Sequence, residues 1–285
     1  MRKVLKIKDC IKTFEGDGIP VIRAFPDPEM RENDPFLLFD HFGPIYYEPN
    51  GATGVPAHPH CGFEAITYLL GGEVEHKDSW GGQATIQKGD IQWMTTGSGL
   101  IHSELVTEKF KKIGGTMQGL QIWVNLPQKY KKVKPRYQHI KKGDIPVIKE
   151  SKDIEIKVLA GKLKNTNSLV QTYSPVSIFD VQFLKSSQIN LEISKNQIAM
   201  IYVIDGELQY VDENIIASKG QMIYFDQSAN EIKLTSISPN GSYLVLAGEP
   251  LNERIVRHGP FVTNTEGEMK QMISNYQNGK MGSLI

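Results

Sequence analysis

The chain has 285 residues, enough for about two domains at roughly 150 residues each. Its 32 Lys and Arg balance 32 Asp and Glu, so no global field is present to hold nucleic acid or an anionic membrane, and neither is expected as a partner. A composition of 40% hydrophobic and 22% charged residues excludes a chain that is disordered throughout, and the longest apolar run, Ala199 to Ile204, falls far short of the roughly 18 residues of a membrane helix.

The first ten residues, MRKVLKIKDC, are basic but alternate Val4, Leu5 and Ile7 with Lys6, Lys8 and Asp9. No apolar stretch of the signal-peptide kind follows, and the chain reads as cytoplasmic. Cys10 and Cys61 are too few for a disulfide scaffold and agree with a reducing compartment.

From Phe63 the sequence beats in short strands. Ile66, Tyr68 and Leu70 alternate with smaller or polar neighbours, Gly71-Gly72 turns the chain, and EVEHKDS runs back to a turn at Gly81-Gly82. QATIQ, a Lys88-Gly89-Asp90 turn, IQWMTT, a Gly97-Ser98-Gly99 turn and LIHSELV follow. Strands of about five residues between glycine turns predict a meander or jelly-roll barrel. Between Lys129 and Lys142 the segment KYKKVKPRYQHIKK carries no acid and reads as a solvated basic linker, with a contact surface for an acidic partner as the alternative. The strand cadence returns after residue 170 in VSIFDVQFL, INLEI, IAMIYVIDGELQYV, a turn at Glu213-Asn214, MIYFD and SYLVLAG. Two copies of one barrel architecture are therefore expected. A helix closes the chain: Thr265 with Glu268 makes a capping box, Met269, Met272, Ile273 and Tyr276 form one stripe, and Gly279 stops it.

The chemistry sits in His58-Pro59-His60 and His102-Ser103-Glu104. Side chains on a strand alternate faces, so each motif aims two donors the same way. Three neutral imidazoles and one carboxylate suit a divalent first-row metal: Fe, Ni, Mn, Co, Cu or Zn rather than Mg or Ca. Ligand type alone does not choose among them. His41 and His76 read as packed residues or as supports behind the ligands, and His139 and His258, alone in the second half, leave the second barrel without a donor set. Cys61 follows His60 directly and should face away, and no third member is evident for a Cys/His hydrolase. The Gly97-Ser98-Gly99 stretch lacks the third glycine of a nucleotide fingerprint and reads as the turn that delivers His102.

HPHCGFEAITYLLGGEVEHKDSWG, QKGDIQWMTTGSGLIHSE, LQIWVNLP and AGEPLNERIVRHGPFVTNTEGEMKQMISNYQNGKMG, with DPFLLFDHFGP near residue 40, resemble the pirin family over nearly the whole chain. The resemblance implies an all-β protein of two cupin-type barrels in tandem with a C-terminal α-helix. We expect a metal-binding barrel over 1–137 and a metal-free barrel plus helix over 138–285. It also implies one metal, usually iron as Fe(II), in the N-terminal barrel, held by His58, His60, His102 and Glu104. Glu64, at the position where many cupins carry a ligand, becomes a supporting residue. Pirins commonly have Arg after HPH where this chain has Cys61.

Two functions from different classes follow from the resemblance. Several bacterial pirins are similar to quercetin 2,3-dioxygenases, which open a flavonol ring with O2 and release CO. Mammalian pirin is an iron-dependent, redox-sensing, protein-binding coregulator of transcription. The TEKFKKIGGTMQGLQIWVNLP stretch looks more like the bacterial branch, so the expectation is the enzyme, with a flavonol and O2 as its substrates and Glu104 as both ligand and proton acceptor. Phe39, Phe42, Phe63 and Trp93 are candidates for the pocket wall, with core packing as the alternative for most of them.

Overall fold

Alternating apolar and polar residues between glycine turns become antiparallel strands that bury one face. The computed structural model describes residues 1–16, 18–30, 32–210 and 215–284; the turn expected at Glu213-Asn214 lies outside them. Backbone contacts divide the chain into two units, 1–11 with 144–250, and 12–143 with 251–285. Each unit contains one seven-stranded and one four-stranded antiparallel sheet among its described residues, the repeated architecture that the matching cadence predicts.

The division differs from the expected one between 137 and 138, and the termini are assigned the other way. The N-terminal strand Val4–Asp9 pairs with Gln221–Phe225 in the sheet of the 144–250 unit. Arg2 explains the attachment: its guanidinium, fully buried, donates to the carbonyls of Ala229, Gln197 and Ser194 at 2.5 to 3.0 Å. A buried charge is tolerated when its donors are satisfied in this way. Ile156, Val158, Phe179, Val181, Ile201 and Val245 are among the residues filling this unit's core.

The unit of 12–143 takes the tail. Helix Glu266–Gln277 starts at Thr265, whose side chain accepts from the Glu268 N–H, as the capping box predicts. Its Met269 and Met272 pack with Phe261, Met281 and Cys61. The backbone is stitched at the same place, with the Cys61 N–H on the Pro260 carbonyl at 3.1 Å and the Val262 N–H on the Cys61 carbonyl at 3.0 Å. The tail therefore clamps the chain immediately after His60. All seven histidines belong to this unit, including His139 and His258, which the sequence alone assigns to the second half.

The basic run is not a free linker. Gln128–Tyr130 forms one 3-10 turn, and Arg136–Ile140 pairs with Ile91–Thr95 as an edge strand. A second, short helix, Glu108–Ile113, is capped by Thr107. The sequence gives it little signal, because six residues cannot display a periodic stripe. No helix among the described residues is long and apolar enough to cross a membrane.

Candidate metal centre

The four-stranded sheet of this unit runs Gly54–His60, Leu100–Val106, Glu73–Asp78, Gln83–Gln87. In its register His102 stands directly opposite His58, and Leu100 opposite His60. Across the other edge of the same central strand, Asp78 faces His102 and His76 faces Glu104. Cross-strand partners share a face, so His58, His60, His102, Glu104, His76 and Asp78 all project to one side. A register shift between His102 and Glu104 puts one extra residue into the Gly54–His60 strand.

Three of these side chains meet. His58 Nε2 lies 3.0 Å from His60 Nε2 and 2.9 Å from His102 Nε2. His58 Nδ1 is 2.8 Å from the Pro56 carbonyl, which only an N–H can satisfy, so the tautomer of this ring that can ligate a metal does so through Nε2. Burial, and then the neighbouring imidazoles, hold His60 and His102 well below the usual histidine range, keeping both neutral as metal ligands must be. Two ligand nitrogens at about 2.1 Å from one ion and at right angles are about 3.0 Å apart, the spacing observed here. The donor set fits a divalent transition metal.

Glu104 falls in a second trio, with His76 and His102, and His102 is the vertex that both trios share. The carboxylate is gripped at Oε1 by the Gln92 side-chain amide and by the Thr67 hydroxyl, the latter at 3.1 Å. His76, read from the sequence as a packed or supporting residue, is fully buried, shares its Nε2 with Asp78 at 3.1 Å and stacks on Tyr137 at 4.1 Å. Glu64 is buried and accepts from the Thr95 hydroxyl at 2.8 Å, and His41 contacts Gln118; neither joins a trio. His139 meets Asp90 at 2.9 Å.

Cys61 faces away from the histidines. Its thiol donates to the Gly97 carbonyl at 3.3 Å inside the methionine-lined cluster, and burial pushes it up to about 12. Lys131, from the basic run, is buried beside it and bonds the carbonyl of Gly62 and Asn125 Oδ1; burial lowers it to about 8. The Gly97-Ser98-Gly99 segment does form the turn that leads into the His102 strand.

A cavity of about 690 Å³ opens on the three histidines and Glu104. Val21, Leu38, Phe42, Leu69, Met117 and Trp123 give it apolar walls, while Thr67, Gln121 and the Arg23–Asp40 ion pair make a polar band. Trp123 is stacked on Phe63 at 4.2 Å, and the Arg257 guanidinium lies over its ring at 4.9 Å. Of the four aromatic candidates only Phe42 lines the cavity; Phe39, Phe63 and Trp93 are fully buried in the core. Trp123, Gln92 and Thr67 carry no signal of their own in the sequence: each lies in a segment that resembles the family, but none belongs to a pair of donors at metal-ligand spacing. Only the strand register, Thr67 opposite Gln92 and Gln121, brings the polar pair together.

The chain is similar to known proteins over nearly its whole length. Residues 18–124 match the Pirin family model, and residues 178–282 match the Pirin C-terminal cupin domain. The chain is 37% identical over 284 residues to a Pseudomonas aeruginosa protein provisionally named a quercetin 2,3-dioxygenase, covering 98% of each. It is 36% identical over 279 residues to pirin of Homo sapiens, covering 94% of this chain and 90% of that protein. A crystal structure described as quercetin 2,3-dioxygenase from Acinetobacter baumannii superposes with a TM-score of 0.93 at 35% identity, covering 100% of both chains. The chain belongs to the pirin family, with two cupin domains.

Proposed function

We propose that this protein is a metal-dependent dioxygenase that opens the ring of a flavonol such as quercetin with O2 and releases CO, with His58, His60, His102 and Glu104 holding one divalent metal, Fe(II) by preference. The observation that carries the reading is the convergence of three imidazole Nε2 atoms, two of them held neutral by burial, on the wall of a largely apolar cavity. Its volume of about 690 Å³ lies within the range of small-molecule sites. The likeness to the Acinetobacter baumannii structure supports the substrate class.

A divalent ion bound there supplies Lewis acidity, lowering the pKa of a phenolic or enolic hydroxyl. The chain's residues do the rest. The imidazoles fix the reacting end of the cavity, and Glu104 accepts the substrate's 3-hydroxyl proton. Phe42, Leu38 and Trp123 offer apolar contact to a flat ring, and the walls displace water from around it.

The test is anaerobic reconstitution with Fe(II), Ni(II), Mn(II), Co(II) or Cu(II), followed by measurement of CO from quercetin and O2. CO in proportion to bound metal supports the enzyme. A metal-replete protein that releases none, and whose affinity for a macromolecule follows iron oxidation state, belongs with the coregulator class that the similar identity to human pirin keeps in view.

A further inference from the structure

We propose that Gln92 and Thr67 are positioning residues that set the Glu104 carboxylate for metal binding, with Tyr137 fixing the Gln92 amide; the inference rests on the metal-site reading above. Gln92, Thr67 and Gln121 are consecutive register partners on three neighbouring strands of the seven-stranded sheet, Ile91–Thr95, Phe63–Gly71 and Gly115–Asn125. Their side chains share one face, and Glu104 reaches them from the four-stranded sheet.

Hydrogen-bond accounting gives each residue a distinct task. The Tyr137 hydroxyl donates to Gln92 Oε1 at 3.1 Å, which commits the other end of that amide to donating. Its two N–H groups go to Thr67 Oγ1 at 3.0 Å and to Glu104 Oε1. Thr67 has one proton for two acceptors, Glu104 Oε1 at 3.1 Å and Gln121 Oε1 at 3.0 Å, so it serves Glu104 only part of the time. Gln92 is the constant donor and Thr67 the shared one. Both grip Oε1, leaving Oε2 free to act, and both hold the long glutamate chain in one rotamer. Gln92 is almost completely buried and lies outside the cavity lining, so water does not replace its amide when it is removed.

The test is Ni(II) affinity by chelator competition on the full chain, with the melting temperature of the metal-free protein as a folding control. Gln92→Leu should weaken Ni(II) binding by about 10- to 100-fold, the range for residues that orient a ligand. Thr67→Val keeps the shape and deletes the hydroxyl, and should weaken binding less than Gln92→Leu. Thr67→Ser keeps the hydroxyl and loses a methyl, and should remain within about twofold of wild type. A packing role predicts the opposite order for Val and Ser.

Tyr137→Phe removes one oxygen and frees the amide to turn over, so a several-fold loss is expected even if Gln92→Leu fails to fold. Gln92→Leu or Tyr137→Phe binding Ni(II) as wild type does, or Ser falling as far as Val, would overturn the proposal. His102→Ala separates the two levels. If it loses Ni(II) while the Gln92 and Tyr137 variants do not, the positioning role alone fails; if it also keeps Ni(II), the metal-site reading fails with it.

Discussion

Replacing Glu104 by Gln is the substitution that separates metal binding from catalysis. Glutamine keeps an oxygen where Gln92 and Thr67 donate, so the side chain has reason to stay in place. What it loses is the negative charge and the lone pairs of the second oxygen, which raises the formal charge of a three-histidine divalent site by one unit. Metal affinity should fall, while turnover per bound metal should fall by about 10²- to 10⁴-fold, the contribution of a general base. That corresponds to about 3–5 kcal/mol in the barrier. The assay is elemental analysis and CO release from quercetin on the same preparation, at saturating metal. Wild-type turnover per bound metal would refute Glu104 as the proton acceptor.

Three further outcomes follow from the packing around the site. Cys61→Ser should leave metal content unchanged and turnover within about threefold, because the side chain bonds the Gly97 carbonyl on the far side of the strand; loss of metal would make the thiol a ligand. Gly62→Ala should be severely destabilising and should weaken metal binding. Gly62 sits at φ +84, and a Cβ there would lie 1.8 Å from the Val262 carbonyl oxygen, so normal thermal stability in the variant would contradict the clamp. In the metal-free protein His60 and His102 have depressed pKa values, so below about pH 6.5 the unfolded chain takes up protons that the folded one refuses. Stability should then fall as the pH drops from there, by up to about 1.4 kcal/mol per pH unit for each histidine. His102→Gln should show a shallower acid slope in denaturant melts; an unchanged slope would sink that assignment.

The parts of the molecule written in local pattern were legible. Alternation in HPH and HSE aims two donors from each motif to one face, and the register places His58 opposite His102. The capping residue and stripe of the last helix were equally readable. What could not be read depends on pairing between distant segments. Nothing in MRKVLKIKD says that it will join a strand at 221–225, and Arg2 gives no sign that it will be buried under carbonyls near residues 194–229. Lys131 looks like one more charge in a basic run, yet it is buried against Gly62 and Asn125. Gln92 and Thr67 are neutral residues in unremarkable strands, and their role emerges only where Glu104 reaches them.

The most direct test of the account is metal stoichiometry, measured by elemental analysis on wild type and His102→Ala after identical anaerobic loading and desalting. His102 is shared by both donor trios, so its loss removes a donor from each. Close to one equivalent per wild-type chain is expected, and almost none in a variant that remains folded. Two tightly held equivalents in the wild type, or a full equivalent in folded His102→Ala, would contradict it.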